Sequence, residues 1–511
     1  MMNKLSLIVI TALVSQPALA LTLEKDQLLH SDRLALVDSS TIKANDRAKT
    51  AQLKQQLEHL KAGQTLVIPA GKYQDLGIVE ITANNVTVRA EQAGAAWFTG
   101  LVQLKVSGDN VVLDGLVFTE GGPAERFGGI RFHGTDNVLK NSTFKDFNHD
   151  YVYAPDDKRQ EYPKYLWLSI WGKQAQLVNN RFEGKYKRGT LIGVQKDETA
   201  DNHIIKHNLF YSQKPNQYNE FAIDKAIRYN ANSWEAIRIG DSKASQWPSH
   251  TLVEENLFVD MDGEREMISL KSGDNIIRGN TIFNSASMIS LRHGKNNTVE
   301  NNVIVGNHKQ LTGGMRIYDE DHVIRNNYIS GTRGREGAVA GNADVRGGIV
   351  INTGIIDSAK GEQLDQNIKG KELNKQWTPK NITISHNTIV DADWGIVHGS
   401  QGHRVSLFDN KEVANIFAGN SISFDHNLVK TSHPEQVAVR ASEHYPLLNA
   451  SYEQEMYLGQ VIEPKQLKPF MQQGPELKQK NGFSYLLGQG ADVTKLKVMT
   501  ADTVGPDYQI K

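Results

Sequence analysis

Asn256-Leu-Phe, Asn280-Thr-Ile-Phe, Asn302-Val-Ile-Val and Asn327-Tyr-Ile are four copies of one short pattern: an asparagine, then β-branched or aromatic apolar residues. The steps between them are 24, 22 and 25 residues. A period in the low twenties, with short strands and no helical spacing, predicts a parallel β-helix. Each turn of such a solenoid supplies short strands that stack on the next turn at ~4.8 Å. Alternate apolar residues fill its interior. Asparagine suits the corners because its side chain hydrogen-bonds nearby backbone and tolerates left-handed backbone.

The pattern extends in both directions. Asn141, Asn180 and Asn208 precede these four, and Asn387 and Asn427 follow. Longer steps mark insertions. Tyr151–Tyr165 and Ile355–Trp377 read as loops thrown out from the coil, of the kind that shapes a cleft. A leucine-rich repeat would need regular leucine spacing, and a propeller would need Trp-Asp or kelch-like blades; the chain has neither. The expected fold is all-β: a single right-handed parallel β-helix. Residues Asp46 to Gly63 read as an amphipathic helix capping its N-terminal end. From about Leu448 to Lys511 the repeat fades into a cap or a wrapping segment.

The chain has 511 residues, with 57 basic and 58 acidic side chains and a formal charge of -1. Nothing global marks it as a nucleic-acid or membrane-surface binder, so affinity for a charged polymer must be local. It has no cysteine, which excludes disulfides and a lipobox anchor. Met1–Lys4, the apolar run Leu5–Val14 and Ala18-Leu-Ala20 form an export-signal pattern. Residues 1–20 are therefore expected to be removed, giving a periplasmic or secreted protein that starts at Leu21. No segment is long and apolar enough to span a bilayer.

Four segments align by apolar pattern: Ala236-Ile-Arg-Ile-Gly240, Ser269-Leu-Lys-Ser-Gly273, Ser290-Leu-Arg-His-Gly294 and Gly314-Met-Arg-Ile317. With Ile237, Leu270, Leu291 and Met315 pointing inward, strand alternation turns Arg238, Lys271, Arg292 and Arg316 outward. In that alignment they form one column, about 5 Å per step. Each step of repulsion costs some fraction of ~1–4 kcal/mol, which points to a polyanion site. Glu264 and Glu266 share parity with each other but not with Lys271, so a bend must bring the three together. With Asn232 they offer hard oxygen ligands suited to Ca²⁺, although ion pairing with the basic residues fits equally well.

In a uronate, the C5–H is acidic because it lies beside the C6 carboxylate. A cation that neutralises the carboxylate lowers the barrier to losing that proton. A lysine flanked by cations can serve as the base. Lys271, between Arg238 and Arg292 in the alignment, meets this description. His293 is a candidate substrate binder or proton partner if the strand ends at Gly294, since on a regular strand it points inward.

The motifs Asn232-Ser-Trp-Glu-Ala-Ile-Arg-Ile-Gly240, Glu264-Arg-Glu-Met-Ile-Ser-Leu-Lys-Ser-Gly273, Ser290-Leu-Arg-His-Gly294 and Gly314-Met-Arg-Ile317 together resemble polysaccharide lyase family six, the chondroitinase B-like lyases. The likeness runs from Gly71-Lys-Tyr-Gln-Asp to the last asparagine turn. It implies Lys271 as catalytic base and Arg292 as catalytic acid. It implies Ca²⁺ held by Asn232, Glu264 and Glu266, and Arg316 at a substrate-binding position; Arg238 and His293 are expected to bind substrate from their own places in the aligned segments. The implied activity is β-elimination on an anionic, uronate-containing polysaccharide, alginate first and dermatan sulfate as the alternative. A polygalacturonase-type hydrolase would need paired acids where this chain has cations. An epimerase would need an Asp-Pro-His motif, which is absent. A non-catalytic polysaccharide-binding β-helix would not need a lone lysine among arginines.

Overall fold

The computed structural model describes residues 20–150, 164–214, 233–334, 346–357, 362–370, 373–399, 406–408, 411–413, 415–442, 444–462 and 475–511. Short parallel strands stack turn upon turn into long ladders. One sheet contains 13 strands, from Thr65–Ile68 to Ser451–Glu453. Two further ladders run beside it, joined at the 11-residue strand Ala96–Val106. The chain is a β-helix solenoid, as the asparagine repeat predicts.

Its interior is a stack of equivalent residues. Phe98, Phe118, Phe144, Phe182, Phe210 and Phe258 follow one another with ring centroids 4.4–5.3 Å apart, the spacing of the turns. All six are fully buried. At one corner the asparagines form a ladder. The side-chain oxygen of Asn208 accepts from the backbone N–H of Asn180 at 2.9 Å, and Asn256, Asn280, Asn302, Asn327, Asn387 and Asn427 repeat the bond up the coil. Two members of the ladder are not asparagine. Ser142, not Asn141, occupies the first place and donates its backbone N–H to Asn180. Asn141 sits one residue off, with φ +49°, and accepts from the backbone of Asp507. At the far end Glu455 takes both donors of Asn427 on one oxygen. Burial pushes its carboxyl up to about 7.

Helix α1, Arg47–Glu58, closes the N-terminal end. Asp46 caps it by accepting the backbone N–H of Lys49. Leu53 and Leu57 go down into the main core. At the other terminus the chain runs back along the outside of the coil. Gly490 donates to His426, Met499 to Thr281, and Gly505 to His207, before Tyr508–Ile510 pairs with Ala35–Val37 near the first turns. No described helix is long and apolar enough to cross a membrane.

The ladder that carries the site includes seven strands: β1 (Ile130–Phe132), β2 (Leu168–Ile170), β3 (Ile192–Val194), β4 (Ile237–Gly240), β5 (Glu266–Lys271), β6 (Met288–His293) and β7 (Met315–Ile317). Ile192, Ile237, Ile268, Ile289 and Met315 stack inside it.

Candidate active site

The register corrects the expected four-cation column. Arg238 lies opposite Ser269, Ser269 opposite Ser290, and Ser290 opposite Arg316. Arg238 and Arg316 share a column with two serines between them. Lys271 lies two residues farther along its strand, opposite Gly240 and His293. The sequence alignment slipped by two residues at β4 and again at β7. Such a slip preserves inside and outside, so alternation cannot detect it.

Two bulges then gather the groups. On β5 the pairing jumps from Glu266 to Ile268, leaving Met267 as the extra residue. This supplies the bend needed for Glu266 to reach Lys271. On β6 the pairing passes from Leu291 directly to His293, so Arg292 is the extra residue. That shift carries His293 out of its expected inward direction. His293 is buried, with its Nε2 3.2 Å from the hydroxyl of Ser242, in the turn after β4. The chain can turn here because residue 294 is glycine. Its φ is +87°, and a Cβ would lie 2.2 Å from the Ser272 backbone.

The cations meet on one carboxylate. Glu266 accepts from Arg292 Nε at 3.1 Å and from Ser269 Oγ at 2.6 Å, and it bonds closely to Arg316 Nη2. Lys271 Nζ lies 3.7 Å away. Arg316 also donates to Ser290 at 3.1 Å, and both guanidiniums face the buried ring of Tyr318. Burial opposes ionisation of Glu266, but Arg316, Lys271 and Arg292 outweigh it and hold the carboxyl well below its usual range.

Glu235 is a site residue that sequence reasoning missed. It is 1% exposed, accepts from Lys271 Nζ at 3.3 Å and from Thr190 Oγ1 at 2.7 Å. Burial works against its charge, and Lys271 and Arg238 more than offset that. It stands inside the Asn232–Gly240 motif, where it is the one acidic residue in an otherwise small, apolar or cationic run. Lys164 is a second omission. Burial, reinforced by Arg188 and Arg126, pushes its ammonium down to about 8, against the opposing charge of Glu235. The nearest charged partners of Lys271 are thus carboxylates rather than the flanking cations the aligned column implied.

The expected metal ligands are unequal. Asn232 lies outside the described residues. Glu266 is occupied by cations. Glu264 accepts the Trp234 backbone N–H at 2.7 Å and has no ion-pair partner among the described residues. Burial, Glu235 and Glu266 together raise its carboxyl well above the usual range. The donor chemistry fits a hard cation at Glu264, with Glu266 beside it. Among the described residues, the one group of three His, Cys, Asp or Glu side chains with ligand atoms within 4.8 Å of one another is His386, Asp425 and His426.

Described residues of the segment that follows Gly354 reach the turns next to His293 and Gly294. Gly354–Asp357 pairs antiparallel with Asn374–Gln376. Trp377 is fully buried and donates its indole N–H to Ser245, three residues after the partner of His293. Lys369 bonds Asp319, which in turn accepts the backbone N–H of Gly294 at 2.9 Å.

Known proteins resemble the chain over nearly its whole length. The chondroitinase B family model matches residues 47–445. A PL6 alginate lyase in complex with a trisaccharide is 61% identical, with a TM-score of 0.88, covering 97% of this chain and 99% of the other. The alginate lyase AlyF-OU02, in complex with G6, is 62% identical, with a TM-score of 0.89 and coverages of 96% and 99%. The PL6 alginate lyase AlyGC shares the fold at 24% identity and a TM-score of 0.70, over 92% of this chain and 58% of its own. No curated protein sequence matches. The chain belongs to the chondroitinase B family and is an enzyme of polysaccharide lyase family six.

Proposed function

We propose that this lyase cleaves alginate by β-elimination, with Lys271 as base and Arg292 as acid. The observation that carries the reading is the gathering of Lys271, Arg292 and Arg316 around the single carboxylate of Glu266. Cations held this closely can receive a second carboxylate, that of a uronate. Lys271, as free amine, takes the C5 proton. Arg292 supplies a proton, directly or through water, to the departing O4 and leaves a 4,5-unsaturated sugar. Arg238, His293 and Arg316 hold and orient the substrate. Glu235 positions the Lys271 side chain from beneath.

Ca²⁺ would be held by Glu264, Glu266 and Asn232, and when bound it would neutralise the substrate carboxylate. The uncompensated carboxyl of Glu264 supports this assignment. The pattern in Met1–Ala20 supports export to the periplasm or the medium. Close relatives described as alginate lyases favour alginate over dermatan sulfate.

The test is to offer the protein alginate and dermatan sulfate, with and without EDTA. Ultraviolet absorbance of the new conjugated double bond reports cleavage. Absorbance with alginate is expected. New reducing ends without absorbance would indicate hydrolysis, and absorbance only with dermatan sulfate would move the substrate. Undiminished activity in EDTA would remove calcium from the account.

A further inference from the structure

Three turns N-terminal of Arg238, the same sheet carries a second cationic group. Arg131 lies opposite Ser169, Ser169 opposite Gly193, and Gly193 opposite Arg238. Continuing the column gives Ser269, Ser290 and Arg316. The outer face therefore repeats arginine, small, small, with arginines about 14 Å apart at ~4.8 Å per turn. The small residues keep the floor between them low.

Beside Arg131 stands Trp171, 38% exposed. Its backbone N–H bonds Phe132, and Gln195 bonds back to Ile170, so Trp171 falls opposite His133 and Gln195. Gln195 in turn follows Val194, the partner of Ile239, and Gly240 pairs with Lys271. Trp171 is thus in the column of the proposed base, three turns away.

Its ring is fixed rather than free. Trp171 Nε1 donates to Ser169 Oγ at 3.1 Å. Phe127 meets it edge-on at 5.4 Å, and His133 stacks on it at 5.7 Å. The Arg131 guanidinium lies 5.9 Å from its centroid. Exposed single aromatics are common. One pinned by three neighbours, beside an arginine, on the face and in the column of an active site, is a platform. Arg131 Nη1 is paired with Glu125 Oε2 at 2.8 Å, which fixes the guanidinium beside the indole.

We propose that Trp171 and Arg131 form a remote subsite that takes a uronate of the same polymer several sugars from the cleavage point. The sugar ring stacks on the indole, and its carboxylate meets the guanidinium. The proposal deepens the lyase reading and rests on it for the nature of the polymer. It makes the enzyme sensitive to chain length.

Trp171→Ala and Trp171→Phe test this with polymeric alginate and with its trisaccharide. Trp171→Ala should raise KM for the polymer about tenfold, the scale of one good aromatic contact. The trisaccharide, too short to reach, should not show a matching loss. Trp171→Phe should keep most of the polymer affinity. The same comparison by calorimetry in a Lys271→Ala background reads binding without turnover. An equal change on polymer and trisaccharide, or no change on either, would overturn the subsite. If the wild type produced no absorbance from alginate, the lyase reading would fail, while the long-against-short binding comparison would still decide the subsite.

Discussion

Replacing Glu266 by glutamine keeps the size of the side chain and removes the charge on which three cations converge. The structure places Arg292, Arg316 and Lys271 around that carboxylate, with Ser269 donating a further bond. Glu266 is 9% exposed, so water cannot replace the lost charge cheaply. Breaking a buried ionic cluster at one member costs about 3–5 kcal/mol. With an unfolding entropy of ~2.1 cal/mol/K per residue over roughly 490 residues, that is a fall in Tm of about 3–5 °C. The pH dependence follows from the direction of the shift. The folded carboxyl titrates well below its ordinary 4.5. Its contribution is therefore complete above pH 4.5 and is lost as pH falls toward the folded value. The gap between wild type and Glu266→Gln should be constant from pH 8 to about 5 and shrink below 4.5. Calorimetric scans in EDTA at a fixed rate measure it, free of any bound divalent cation. A Tm within one degree of wild type, on the order of ~1 kcal/mol, would refute the claim that this carboxylate organises the site. So would a gap that did not narrow in acid.

Three other outcomes are expected. Glu455→Gln retains an oxygen for both donors of Asn427; since the wild-type carboxyl is raised to about 7, its ionisation costs nothing below pH 4.5 and most above pH 7. Unfolding scans should show the variant equal to wild type in acid and more stable at pH 8, by up to about 3 kcal/mol. Asn302→Ala removes a side chain that serves both neighbouring turns, donating to Ile277 and Asn327 and accepting from Asn280; a loss of about 2–4 kcal/mol, read by denaturant titration, is expected from the buried groups left unpaired. Glu235→Gln weakens the contact that holds Lys271 Nζ in place; kcat on alginate should fall while KM stays near wild type, and an unchanged kcat would deny Glu235 its positioning role.

Much of this was legible in the sequence because solenoids repeat. A spacing of 22 to 25 residues between Asn256 and Asn327 is visible without tertiary information, and each such asparagine proved to be one step of a real ladder. The reading missed where a turn used a different residue for the same bond. Ser142 and Glu455 can each accept the backbone N–H, so the repeat is chemical rather than literal. Lys271, Arg292 and Arg316 were legible as cations on one face, but their register was not. Periodicity of two is blind to a two-residue slip, and the bulges at Met267 and Arg292 leave no compositional trace. Glu235 went unnoticed because its role lies in a contact with Lys271, 36 residues away in sequence. Burial made its charge consequential, and burial is a property of the packed coil.

The central claim is that Lys271 removes the C5 proton of a uronate. The direct measurement is the absorbance produced from alginate by Lys271→Ala, alongside wild type and with circular dichroism to confirm an intact β-helix. The account predicts a β-rich spectrum like that of wild type and loss of at least ~10²-fold in kcat, the scale of a positioned general base. A folded Lys271→Ala chain that still generated unsaturated product at a rate near wild type would contradict it.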